Sequence, residues 1–198
     1  MIVSIKGFYR YLVRTKQMTT DPVADIDTPK RDKALPRHLT LEESRRLLLA
    51  VDGKNKERDY CILCLFLNCG FRVSEMVGLN LTDIRQDRLL IHGKGSKERI
   101  VYLNDAPATA LNDWLLVRKS IAAIDKNALF LSNRRKRMSV DSVQVMLKKT
   151  LLRAGLDASQ YSPHKLRHTA ATLMLQNGVD VRTLQEVLGH ENLNTTQI

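Results

Sequence analysis

The run YCILCLFLNC, residues 60–69, is apolar on nearly every side. A helix with so little polar face reads as buried, with other elements covering it. It extends back to about residue 58, and Gly70 ends it. Cys61, Cys64 and Cys69 all fall inside this segment. The C-x-x-C spacing could suggest redox chemistry or half of a zinc site, but no second cysteine pair completes a tetrahedron. The three thiols therefore read as small buried hydrophobes.

Start and stop signals arrange the rest of the chain around that helix. IVSIKGFYRYLVRT places Ile5, Phe8, Tyr9 and Leu12 at helical spacing, a single amphipathic helix with no partner nearby in sequence. Residues 16–38, rich in proline and charge, read as a linker, so residues 1–15 look like the tail of a preceding domain. From residue 39 a second domain runs to 198. Thr40 with Glu43 three residues on forms a capping box, and a short helix is expected from Val73 to Gly78. RLLIHG (88–93) and ERIVYL (98–103) read as two strands joined by the turn KGSK. Pro107 is expected at the first position of a helix that carries Trp114 on its apolar side. Further helices follow from Ser139 to Ala154, from Ser162-Pro163 to Asn177-Gly178, and from Asp180 to Gly189. The fold class is mostly α with a small antiparallel β-sheet, an α+β arrangement.

Charge narrows the partner. Lys and Arg number 32 against 21 acids, a net charge of +11. Such an excess attracts polyanions, and counterion release favours nucleic acid. No apolar run reaches the roughly 18 residues of a membrane span. Met1 to Gly7 lacks the layout of a signal peptide, so a cytoplasmic location is expected. Aromatic residues make up only 5%, which disfavours an RNA-stacking platform. No cluster of Asp and Glu of the kind a two-metal nuclease needs is present, and neither metal nor cofactor is expected.

Four places carry side chains suited to a phosphate. On the helix opened by Ser162-Pro163, His164 and Arg167 stand three residues apart, with Ala171, Leu173, Met174 and Leu175 turned to the core. A helix N-terminus adds N–H groups that suit an anion, although a solvated polar face is the stronger reading of that pattern alone. Arg72 follows the helix-stopping Gly70 in NCGFRVSEMVGL, where its planar fork could hold a phosphate or pair with Glu75 to tie the turn. Lys94 lies between Gly93 and Gly95 in the hairpin turn, a place where lysine often serves only solubility. His190 follows Gly189 at a helix end. Arg134, Arg135, Lys136 and Arg137 form a basic run that either contacts DNA backbone or is simply solvated. Lys97, Arg99 and Lys165 join the candidate DNA contacts.

Taken together and in this order, GFRVSE, HGKGSKER, HKLRHT and VLGH resemble the tyrosine recombinase (phage integrase) family, in the style of Xer-type, transposon and phage integrases. LTDI, LFLS and the terminal TTQI match as well, and the resemblance covers about Leu39 to Ile198. It implies the DNA breaking-and-rejoining fold and site-specific recombination of double-stranded DNA through a 3′-phosphotyrosyl link. It also implies roles: Arg72 and Arg167 on the phosphate oxygens, Lys94 as general acid, His164 as general base and His190 as a hydrogen-bond donor to the phosphate. Glu75 becomes the acid that positions Arg72.

The family's nucleophilic tyrosine stands nine residues beyond the Leu-Gly-His histidine, which here is position 199, and the chain ends at Ile198. Tyr9, Tyr11, Tyr60, Tyr102 and Tyr161 match no nucleophile position. The chain is therefore expected to bind DNA without cutting it, either as a piece of an active parent or as a non-catalytic remnant or regulator. Full-length relatives act as tetramers on paired sites; a monomer is expected for this piece.

Overall fold

A computed structural model describes residues 2–27, 37–93 and 98–189. Backbone contacts divide the chain into two compact units, Met1–Pro36 and Arg37–Ile198. The first holds α1 (Ile2–Arg14), whose last turn is closed by the Thr15 hydroxyl donating to the carbonyl of Tyr11 at 2.9 Å. Phe8 and Tyr11 are exposed on it, and Tyr9 and Leu12 are half-buried.

The second unit opens with α2 (Leu41–Leu49). Thr40 Oγ1 accepts from the Glu43 N–H, and Glu43 accepts in return from the Thr40 N–H, the expected capping box. Next comes α3 (Lys56–Cys69), which buries Cys61 through Phe66 and packs against α5 (Asp105–Lys119) and α7 (Pro163–Gln176). Its apolar character thus has the cause expected: it is the centre of the unit. Each Leu- or Phe-sized side chain removed from water there contributes about 1.5–3 kcal/mol. All three cysteines are free and buried. Burial pushes the Cys61 thiol well up, that of Cys64 to about 11 and that of Cys69 to about 12.

Gly70 closes α3 in the left-handed region at φ 62°, and α4 (Val73–Gly78) follows after two residues. A 3-10 turn (Leu81–Asp83) leads into a three-stranded antiparallel sheet, β1 (Ile84–Arg85), β2 (Arg88–His92) and β3 (Glu98–Tyr102), in sequence order. Leu89 faces Val101 across β2 and β3 on the buried side, and Leu90 faces Ile100 on the other. The two-residue β1 was not expected from sequence, because so short a segment shows no alternation.

Helix α5 begins at Asp105 behind the N-cap Asn104, so Pro107 is its third residue rather than its first. A proline fits there equally well, since first-turn N–H groups have no intrahelical acceptor. Trp114 is buried on α5, donates to the Leu129 carbonyl at 3.1 Å and stacks with Phe130. Then come α6 (Val140–Arg153), capped by Ser139, α7, capped by Ser162, and α8 (Val181–Leu188), capped by Asp180 and closed by Gly189. On α7 the buried face differs from expectation. Leu166, Arg167, Thr169 and Ala170 turn inward with Ala171, whereas Leu173, Met174 and Leu175 are only half-buried. Among the described residues no helix is long and apolar enough to cross a membrane.

Candidate active site

Gly70 sets the geometry of the site. The tight left-handed turn, with Phe71 fully buried behind it, delivers Arg72 to the surface at the start of α4. The Arg72 N–H donates to Glu75 Oε2 at 2.8 Å, and its Nη1 donates to Glu75 Oε1 at 2.8 Å. Its Nη2 reaches the Gly189 carbonyl at 3.3 Å. The Arg72 side chain remains 44% exposed, so its outer edge is open to a ligand.

Arg167 approaches from α7 and is buried. Its Nη1 donates to the Gly70 carbonyl at 2.5 Å, its Nη2 to the Leu188 carbonyl at 2.6 Å, and it stands 4.0 Å from Glu75 Oε2. Burial, then the charge of Arg72, lowers its pKa to about 10, so it is still a cation at neutral pH. The guanidinium therefore touches the end of α3 and the end of α8 at once.

Arg99 is the third cation, reaching in from β3. Its Nη1 and Nη2 form a two-pronged pair with Glu75 Oε1 and Oε2 at 2.8 and 2.9 Å, and its Nε donates to the Val187 carbonyl at 3.1 Å. Glu75, nearly buried, accepts from both Arg72 and Arg99. Burial alone would raise its pKa, but the bonds from Arg99 and Arg72 outweigh it and hold the carboxyl at about 2. Three guanidiniums thus surround one carboxylate, which leaves two positive charges uncompensated where Arg72 opens to solvent.

His164 is exposed one turn before Arg167 on α7. Lys165 beside it is half-buried, and its backbone N–H donates to the Ser162 hydroxyl at 3.4 Å. His168, not singled out by sequence, packs edge-on against His38 at 6.2 Å between ring centres. Burial first, then the charges of His38, His164 and Lys165, depresses its pKa. Lys94, Lys97 and His190 lie outside the described residues. The strands that frame the hairpin end at His92, whose ring nitrogens stand 3.2 Å from Asp83 Oδ1 and 3.1 Å from Glu98 Oε1.

The basic run is split in two. Arg134, Arg135 and Lys136 are exposed, and a cleft of about 790 Å³ beside α6 is lined by Arg134 and Lys136 among others. Arg137 is turned inward instead. All three of its nitrogens are occupied, by Asp125, by the carbonyls of Val77, Gly78 and Leu79, and by Asn80 Oδ1. It ties the end of α4 to the loop before α6. Arg99 is likewise occupied within the fold, and its role as the principal partner of Glu75 was missed. The available signal was strand alternation, which puts Arg99 on the same face as buried Val101. Among the described residues no cluster of His, Cys, Asp or Glu could hold a metal ion.

Comparison with known proteins supplies the context for this geometry. The model of the phage integrase family matches residues 37–198. The chain is 53% identical over 199 residues to the tyrosine recombinase XerC of Caldanaerobacter subterraneus subsp. tengcongensis, covering 100% of this chain and 56% of that protein. It is 40% identical over 204 residues to XerC of Alcanivorax borkumensis, covering 100% of this chain and 66% of that protein. The chain thus spans between about half and two thirds of the length of these curated relatives. Among solved structures, the XerA recombinase superposes with a TM-score of 0.77 at 30% identity, covering 100% of this chain and 77% of that one. XerH bound to a palindromic difH substrate superposes at 0.81, covering 98% of this chain and 60% of that one; at 24% identity this is a likeness of fold.

Proposed function

The chain belongs to the phage integrase family, and from that premise we propose that it is the catalytic domain of a site-specific tyrosine recombinase acting on double-stranded DNA. The observation that carries this reading is the meeting of Arg72 and Arg167 around Glu75. They come from different elements and, together with Arg99, leave two positive charges in excess of the one carboxylate, with Arg72 open to solvent.

The chemistry follows from that charge. A tyrosine hydroxyl, at position 199 of the longer protein, attacks a phosphodiester phosphorus. The bond to the 5′ oxygen breaks as the tyrosyl–phosphate bond forms, leaving a 3′-phosphotyrosyl link and a free 5′ hydroxyl. Negative charge on the non-bridging oxygens is held by Arg72 and Arg167, fixed in place before the reaction. His164 takes the tyrosine proton, Lys94 gives a proton to the departing 5′ oxygen, and His190 donates to the phosphate. The ester conserves the energy of the broken bond, so a second 5′ hydroxyl can reverse the step and rejoin the strands. Arg134, Arg135, Lys136, Lys97 and Lys165 serve the DNA backbone. The longer protein works as a tetramer on paired sites in the cytoplasm, and this chain is a monomer.

The test is adduct formation on a nicked duplex by the chain continued through a position-199 tyrosine. Arg167→Ala is expected to slow covalent adduct formation by about 10²-fold or more while DNA affinity changes far less. Arg167→Lys, which keeps the charge but loses the fork, covers the case in which the alanine variant does not fold. Adduct at the parental rate in a folded variant would remove Arg167 from the mechanism.

A further inference from the structure

We propose that Arg99 is a positioning residue of the phosphate site: by filling the Glu75 carboxylate it keeps Arg72 and Arg167 available to the phosphate. The inference deepens the proposed function and rests on it.

The argument begins with the capacity of one carboxylate. Two oxygens offer about four lone-pair positions. At Glu75 all four are taken: Oε1 accepts from Arg72 Nη1 and Arg99 Nη1, and Oε2 accepts from the Arg72 N–H and Arg99 Nη2. Arg167 is left at 4.0 Å, and its short bonds go to the Gly70 and Leu188 carbonyls instead. Arg72 keeps only one side-chain bond to the acid and a longer one, 3.3 Å, from Nη2 to the Gly189 carbonyl, which leaves the exposed edge of its fork facing outward.

Withdrawing Arg99 empties two of these positions in a nearly dry site. The nearest donors able to refill them are Arg167 Nη1 and the rest of the Arg72 fork, the two groups assigned to the phosphate. A buried carboxylate does not stay half-satisfied when a cation stands within reach. One phosphate ligand would then be diverted into an internal ion pair.

Placement reinforces this role. Arg99 sits on β3, and its Nε holds the Val187 carbonyl near the end of α8. The side chain also lies flat across Gly189: a Cβ there would meet Arg99 Cδ at 3.0 Å and Nη1 at 3.2 Å. Gly189 is in the left-handed region at φ 64°. One guanidinium therefore joins the hairpin strand, the Arg72–Glu75 turn and the segment leading to position 190.

The experiment is a double-mutant cycle on DNA affinity, read by fluorescence anisotropy of a labelled duplex across a salt series with the chain as it stands. In the parental background Arg99→Gln is expected to weaken binding about tenfold. The slope of log K against log salt should fall by about 0.9, the signature of one lost phosphate contact. A purely stabilising role would not move that slope in folded protein. In the Glu75→Gln background, where no buried carboxylate competes for the arginines, Arg99→Gln should cost less than about twofold. Equal losses in both backgrounds would mean that Arg99 touches DNA itself, and the inference falls. Absence of salt-dependent binding by the parental chain would overturn the functional reading, and the inference with it. Circular dichroism establishes folding. If Arg99→Gln does not fold, Arg99→Lys, whose amine can satisfy only part of the carboxylate, takes its place with a smaller loss expected.

Discussion

Glu75 carries no reaction step, yet its ionisation organises the site. A carboxyl held at about 2, against an ordinary 4.5, favours the folded state once it is ionised. Because the folded value lies below the unfolded one, the contribution is complete above about pH 5 and fades as pH falls through the interval from 4.5 to 2. Its full size is on the order of 3 kcal/mol. The stability gap between the parental chain and Glu75→Gln, from urea unfolding, should therefore narrow on acidification, by about 2 kcal/mol between pH 5 and pH 3. A gap that does not change with pH would mean that folding leaves the carboxyl's pKa where it is in the unfolded chain, and a gap that widens on acidification would mean that the folded protein holds it neutral. This residue was partly legible in sequence: three positions after Arg72, at the start of a short helix, an acid readily pairs with it. Its second partner was not, because Arg99 lies 24 residues away, across the sheet, and nothing local links the two. The same limit applies to Arg137, whose inward turn depends on carbonyls about 60 residues earlier.

At the scale of elements, caps were the most readable features, because a cap is a local bargain between a side chain and the N–H groups just after it. Thr40, Ser139, Ser162 and Asp180 each accept the expected first-turn hydrogen bonds. The buried face of α7 was harder to read. Its apolar residues lie nearly all round, so which of them faces inward is decided by the elements it meets. The junction between α3 and α4 adds a constraint that only packing reveals. At Gly70 a side chain would face two penalties: the left-handed backbone, and a Cβ placed 2.5 Å from Leu188 Cδ2. The first costs about 1–2 kcal/mol, and overpacking adds about 1–3 kcal/mol. Gly70→Ala should accordingly lower stability by about 2–4 kcal/mol. Adding Leu188→Ala to that variant separates the two penalties, since it removes the clash while leaving the backbone strain. The test is urea unfolding of the four proteins in the cycle: strict additivity of the two substitutions would show that the Cβ and Leu188 never meet.

At the scale of the whole molecule, the question is where the second unit begins. Sequence placed the boundary at residue 39, from the end of a proline-rich stretch, whereas the compact unit and the family match both begin at 37. The difference matters because of Leu39. Its side chain is fully buried, and its N–H donates to the Thr169 hydroxyl on α7 at 3.0 Å. A residue just ahead of the first helix is thus part of the core, a fact invisible in sequence because its partners lie 130 residues away. Every member of the main hydrophobic cluster falls at Leu39 or later. Residues 37–198 alone should therefore unfold cooperatively, with a urea midpoint close to that of the whole chain. Starting at Leu41 instead removes the Leu39 anchor together with the Thr40 cap of α2, and leaves the Thr169 hydroxyl without that donor. By analogy with truncating a buried leucine, this should cost about 2–5 kcal/mol. The two shortened chains differ by only four residues, so bulk composition cannot explain a difference between them. Equal midpoints would show that Leu39 is dispensable and that the core begins with α2. A broad, non-cooperative transition for residues 37–198 would instead mean that the first unit contributes to folding of the second.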